Sequence, residues 1–176
     1  MSTPADASLE RLRTEGGWFP VGDVSRFAVT GADRLRYLNG QVSNDLRKLA
    51  PGTAMQACIL SAKGKLDAVV WIWNEEERLV VECTASLAES LAMRLERYIV
   101  ADDVQVAPLE SALSFHVFGA SAGGMTGLHI ARLGAPGVDI SSQPGGTAAT
   151  ADEIEYLRIE RCIPKWGAEL GPDTLP

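Results

Sequence analysis

The sequence is poor in the side chains that most often do chemistry near neutral pH. It holds two histidines, His116 and His129, and three cysteines, Cys58, Cys83 and Cys162, among 176 residues. The cysteines are widely spaced and odd in number, with no C-x-x-C. That argues against a disulfide framework and fits a reducing compartment. The His, Cys and carboxylate spacings match no metal template, so no metal site is expected. No apolar run approaches the ~20 residues that a membrane helix needs. No basic segment followed by an apolar one opens the chain, so no secretory signal is read. A cytoplasmic location without a membrane partner is the expectation. Basic residues are also in deficit, with 16 Lys and Arg against 23 Asp and Glu, for a net charge of −7. An acidic chain binds phosphate backbones poorly, so no nucleic-acid partner is expected. Neither a G-x-G-x-x-G opening a helix nor a Walker A sequence is present, which disfavours those two modes of nucleotide binding.

What remains suits a globular protein. The apolar fraction is 46%, enough for a core in one domain or in two small interlocked halves. Residues 1–15 are small, polar and charged and read as a flexible lead-in or loose helix. Residues 16–176 read as the folded domain. Phe27 to Val29 alternates like a half-buried strand, Gly31 turns the chain, and Ala32 to Leu38 reads as a short helix. Ala54 to Leu60, Leu66 to Trp73 and Arg78 to Thr84 read as strands, the last two joined by the charged loop at 74–77. Ser86 to Val100 reads as the clearest helix. Ser86 and Glu89 suggest a capping box, and Leu87, Leu91, Leu95 and Tyr98 form a stripe. Val104 and Val106 begin a strand, and Ser114 to Phe118 form another. Residues 119–150 are rich in small residues, with one short strand expected over Leu128 to Leu133. Asp152 to Arg161 reads as a helix stopped by Pro164. Strand, strand, helix, strand is an α+β pattern with antiparallel sheets.

Several constellations carry a chemical alternative. Gly119-Ala120-Ser121-Ala122-Gly123 spells a nucleophile elbow, but Gly124 and Gly127 spoil the helix it needs. No histidine follows the candidate acid Asp139, so a hydrolase is not expected. His116 reads as a strand histidine satisfied in the core. The turn Lys63-Gly64-Lys65 presents two ammonium groups and backbone N–H groups to a carboxylate or phosphate, or is simply a solvated turn. Glu160 lies in an apolar-rich helix. Pointing inward it must be paired or bind something, such as an amino-pyrimidinone edge; pointing outward it pairs with Arg158 or Arg161. Asp67, at the start of a strand, either acts on a ligand at the sheet end or blunts strand pairing.

Three blocks share an order with one known family: Val29-Thr30-Gly31-Ala32-Asp33 running on to Asp45, then Ser61-Ala62-Lys63-Gly64-Lys65-Leu66, then Leu157-Arg158-Ile159-Glu160-Arg161 running on to Leu170. Together they resemble the folate-binding family of the glycine-cleavage T-protein, an aminomethyltransferase. They are most similar to its YgfZ-like branch, which is linked to iron–sulfur protein assembly and tRNA modification. The resemblance implies antiparallel sheets with packed helices in two interleaved halves. It implies tetrahydrofolate or a one-carbon derivative as ligand and an iron–sulfur client as a possible partner. Glu160 matches the family carboxylate that holds the pterin. Gln41, Asn44, Gly64 and Lys65 match cavity-lining segments, and Asp67 and Glu82 are further candidates. The catalytic aspartate position of the T-protein falls near Val69 when anchored on Gly64, two residues past Asp67. Lys63-Gly64-Lys65 and Glu82 favour the YgfZ-like branch, hence folate binding without aminomethyl transfer. Measured against the family, the chain looks shortened around 119–150 and stops before the K-G-C-x-x-G-Q motif and the C-terminal β-barrel. Cys162 is not that motif's cysteine. A shortened member, an excised piece or half of a split protein is expected, with the missing part as a docking partner.

Overall fold

The computed structural model describes residues 6–110 and 112–176. These divide into two compact units, each assembled from separated stretches of chain. One comprises the described residues up to Gly22 with Ala112–Pro164; the other runs from Asp23 through 110 and adds Lys165–Pro176.

The second unit is a five-stranded antiparallel sheet. Its strands are β2 (Val24–Thr30), β3 (Ala54–Leu60), β4 (Leu66–Glu75), β5 (Arg78–Thr84) and β6 (Gln105–Leu109), in the order β3-β4-β5-β2-β6. Alternation chooses the faces. Leu66, Ala68, Val70 and Ile72 of β4 are buried, while Asp67, Val69 and Trp71 between them are half-buried. Two helices, α2 (Arg34–Asn39) and α3 (Ala88–Arg97), bring Leu38, Leu91 and Leu95 onto the core formed by Val29, Ile59, Val70 and Val81. Gly31 admits no side chain: its φ is +101°, and a Cβ would fall 2.0 Å from the Asp103 carbonyl oxygen.

The other unit holds β1 (Gly17–Val21), β7 (Ser114–Phe118), β8 (Leu128–His129) and β9 (Gly137–Ile140), antiparallel in the order β1-β7-β9-β8. The helices α1 (Asp6–Thr14) and α4 (Ala151–Glu160) add Leu9, Leu12 and Leu157 to a core with Phe118 and Leu133.

Several expectations need correcting. The opening residues, read as a lead-in or a loose helix, form the helix α1 over 6–14, held because Leu9 and Leu12, three apart on one helical face, are both buried; residues 1–5 lie outside the described part. Ser86 caps nothing. The chain first makes a 3-10 turn over Ala85–Leu87, which shifts the N-cap to Leu87 and leaves no side-chain cap. A capping box does form at α4, where Thr150 and Glu153 bond reciprocally. Tyr98 leaves the α3 stripe; it is 45% exposed and lies under Arg94. The 128–133 strand is only Leu128–His129, and β9 is an additional strand.

Burial also ranks the thiols. Burial, aided by neighbouring Glu82, pushes the Cys83 thiol up to about 11. Cys162 is exposed and Cys58 half-buried. Alkylation at neutral pH is expected to modify Cys162 first and Cys58 more slowly. Cys83 should react only on unfolding. Peptide mapping after timed iodoacetamide treatment checks the order, and early modification of Cys83 would contradict it.

Candidate functional site

Within the five-stranded unit a cavity of about 510 Å³ opens between the start of β4, α3 and the C-terminal strap 165–176. Its polar wall is Asp67, Ser86, Ser90 and Arg94, and its apolar wall is Leu91, Trp166 and Pro172. A cavity of this size, mostly apolar with a few convergent polar groups, suits a small organic ligand.

Arg94 organises the polar side. It follows Leu87 and Leu91 at helical spacing, so α3 holds its stem inward. Its guanidinium donates to Gln41 Oε1 at 2.9 Å and lies 3.6 Å from Asp67 Oδ2. Its flat face covers the Tyr98 ring at 4.0 Å. The sequence-predicted residues Asp67 and Gln41 therefore meet through an arginine that the sequence reading did not single out. An arginine in register with a leucine stripe was the available signal. Ser90 and Trp166 were likewise not singled out as site residues, and Ser86 was read only as a helix cap.

The remaining candidates have other partners. Gly64 makes the expected positive-φ turn, at +75°. Lys65 beside it pairs with Asp173 at 2.6 Å. Asn44 is committed to backbone: its amide donates to Gln56 O at 3.0 Å and its carbonyl accepts from Asp45 N at 2.9 Å. Glu82 is 1% exposed and paired with Arg26 at 2.9 Å, and that arginine also lies over Trp73 at 5.6 Å. Glu160, in the other unit, ends α4 with its side chain 42% exposed. Its partner is neither Arg158 nor Arg161. Arg13 holds both oxygens, at 3.1 and 3.2 Å, while Arg158 grips Glu155 and Arg161 donates to Leu133 O.

The elbow motif does no elbow work. Gly119–Ala122 is a short 3-10 turn, and the Ser121 hydroxyl donates to Glu15 O at 3.0 Å. Asp139, its candidate acid, is buried on β9. It meets His116 Nδ1 at 2.8 Å and accepts from Arg132 Nη2 at 2.6 Å. Among the described residues no His, Cys, Asp and Glu group could hold a metal ion. No helix there is long and apolar enough to cross a membrane.

No protein-family model matches the chain. Over 101 residues it is 31% identical to an aminomethyltransferase of Cupriavidus necator, covering 55% of this chain and 27% of that protein. Over 102 residues it is 31% identical to the tRNA-modifying protein YgfZ of Yersinia pseudotuberculosis, covering 58% and 31%. The matched stretch thus spans less than a third of either relative's length, at 27% and 31%. In structure, 97% of the chain superposes on 57% of the glycine cleavage system aminomethyltransferase T from Bartonella henselae, with a TM-score of 0.79 and 18% identity. The chain has the α+β fold of the glycine-cleavage T-protein. Within that fold it is related by sequence to aminomethyltransferases and YgfZ proteins alike, as its three motif blocks suggested.

Proposed function

We propose that this chain is a tetrahydrofolate-binding protein of the YgfZ type, serving iron–sulfur protein maintenance or tRNA modification without transferring an aminomethyl group. The observation that carries the binding is the cavity itself. Trp166 offers a ring to stack on, Arg94 a cation, and Ser86 and Ser90 hydroxyls. A folate's aromatic amide and glutamyl carboxylates ask for that combination. By the family resemblance Glu160 is the candidate pterin carboxylate, and to serve it would exchange Arg13 for the amino-pyrimidinone edge. Gln41 and Asp67 would act by orienting Arg94. Lys65 would meet the glutamyl tail, with Gly64 shaping its turn. Asn44 and Glu82 would support the surrounding loop and sheet.

The second reading is aminomethyl transfer with Asp67 as acid or base, favoured by its place in the cavity wall. Against it, Asp67 lies 3.6 Å from the Arg94 guanidinium, so its carboxylate already has an ionic partner.

Calorimetric titration with 5-formyl-tetrahydrofolate tests the binding. Saturable binding is expected. Arg94→Met should weaken it at least tenfold, since charge-assisted hydrogen bonds contribute roughly 1.5–3 kcal/mol. Glu160→Ala should weaken it comparably. Absence of heat with the folded wild-type chain would end this reading. In a glycine-cleavage assay with the carrier protein, an active wild type and an inactive Asp67→Asn variant would select the transferase.

A further inference from the structure

The strap 165–176 is folded by its own turns. Lys165 O accepts from the Ala168, Glu169 and Leu170 N–H groups, and Lys165 N–H donates to Glu169 Oε2 at 2.9 Å. Gly171 N–H donates to Thr174 Oγ1, and Thr174 N–H returns to Gly171 O, both at 3.0 Å. This preformed piece carries Trp166 and Pro172 into the cavity wall. It is tied to the head of β4 where Leu66 N–H donates to Thr174 O at 2.9 Å and Lys65 Nζ meets Asp173 Oδ1 at 2.6 Å. The Asp173 side chain is 91% exposed and that of Lys65 40%. No burial forces the two together, so solvent and salt hold the pair to a small contribution.

We propose that the Lys63-Gly64-Lys65 turn is a carboxylate subsite occupied in this state by the chain's own Asp173, and that a ligand carboxylate displaces Asp173 and loosens the strap walling the cavity. The inference rests on the folate reading for the identity of that ligand, a glutamyl tail. Three features support it. The turn sets Lys63 and Lys65 on either side of a positive-φ glycine, so two cationic residues belong to one short turn. The strap presents Asp173 already ordered, so the carboxylate reaches Lys65 without further loss of chain entropy. Finally, the ion pair and the bond from Leu66 N–H to Thr174 O both tie this end of the strap to the head of β4. Replacing Asp173 by an external carboxylate therefore weakens the wall that carries Trp166, which couples tail binding to opening of the cavity.

Amide hydrogen exchange on the whole chain at low ionic strength tests this. Asp173→Asn and Lys65→Gln are each expected to speed exchange at Leu66, Leu170 and Thr174 by about two- to five-fold, the scale of an exposed ion pair. The double variant should go no further than either single one. Millimolar tri-γ-glutamate, which has no pterin, should speed the same amides in the wild type and leave Lys65→Gln unchanged. Wild-type exchange in Asp173→Asn would overturn the latch. An unresponsive wild-type strap would overturn the subsite. Both results hold whether or not folate itself binds, so failure here is distinct from failure of the calorimetric titration.

Discussion

Asp139→Ala is expected to cost about 3–5 kcal/mol of folding stability, the penalty for opening a buried ion pair from one side. The side chains involved are almost sealed: His116 is 0% exposed, Asp139 6% and Arg132 11%. His116 lies between Phe19 and Phe118, with ring centroids 5.2 and 6.3 Å away. Its Nε2 is buried with no hydrogen-bond partner, so Asp139 is its one polar contact among the described residues. Removing the carboxylate leaves an imidazole without any partner and takes two oxygens from Arg132. Asp139→Asn, which keeps the shape, should cost less than Ala.

The same group sets a pH dependence. Burial alone would raise the Asp139 carboxyl, but the hydrogen bonds from His116 and Arg132, with their charges, outweigh it and hold it below its ordinary 3.8. A depressed carboxyl stabilises the fold above that ordinary value and loses its contribution as pH falls through the lower folded value. Urea titrations monitored by circular dichroism at pH 7 and across the acid range should show the wild type losing stability below about pH 4, with a shallower loss in Asp139→Asn. Equal acid sensitivity in both would remove Asp139 as the cause.

Leu95→Ala is expected to cost about 2–5 kcal/mol by leaving a cavity that the sheet cannot close. Leu95 is 0% exposed and packs in the core that includes Val29, Ile59 and Val81. Its carbonyl also accepts the buried Tyr37 hydroxyl, which the substitution preserves. The control lies on the same helix. Met93, 59% exposed, should change stability by no more than about 0.5 kcal/mol on truncation to Ala. Because Arg94 separates the two, Leu95→Ala should also loosen the guanidinium that joins Gln41 and Asp67. Ligand affinity should then fall in Leu95→Ala and hold in Met93→Ala. Similar melting for both variants would contradict the packing described.

Strands and breakers were legible in the chain because they depend on near neighbours. Ala54–Leu60, Arg78–Thr84 and Ser114–Phe118 have the boundaries that alternation and turn residues suggested. The turns at Gly31 and Gly64 follow from residues able to take positive φ. Helix edges were less legible. Ser86 has the spacing of a cap, yet a 3-10 turn moves the start of α3 and removes its use. At α1, composition left a lead-in and a loose helix both open, and two leucines sufficed to fix the helix once a core existed to receive them.

Ordering of the motif blocks, the antiparallel α+β pattern and the acidic, cysteine-poor character were already present in the order of residues, since each is a local or compositional property. Charge partners were not. Glu160 pairs with Arg13 across 147 positions, Lys65 with Asp173 across 108, and Asp139 with His116 across 23. Helical periodicity left the direction of Glu160 open, and nothing near Lys65 in sequence points to Asp173. Folding decides such pairs, because an ion pair forms between whichever groups long-range packing delivers within a few ångströms.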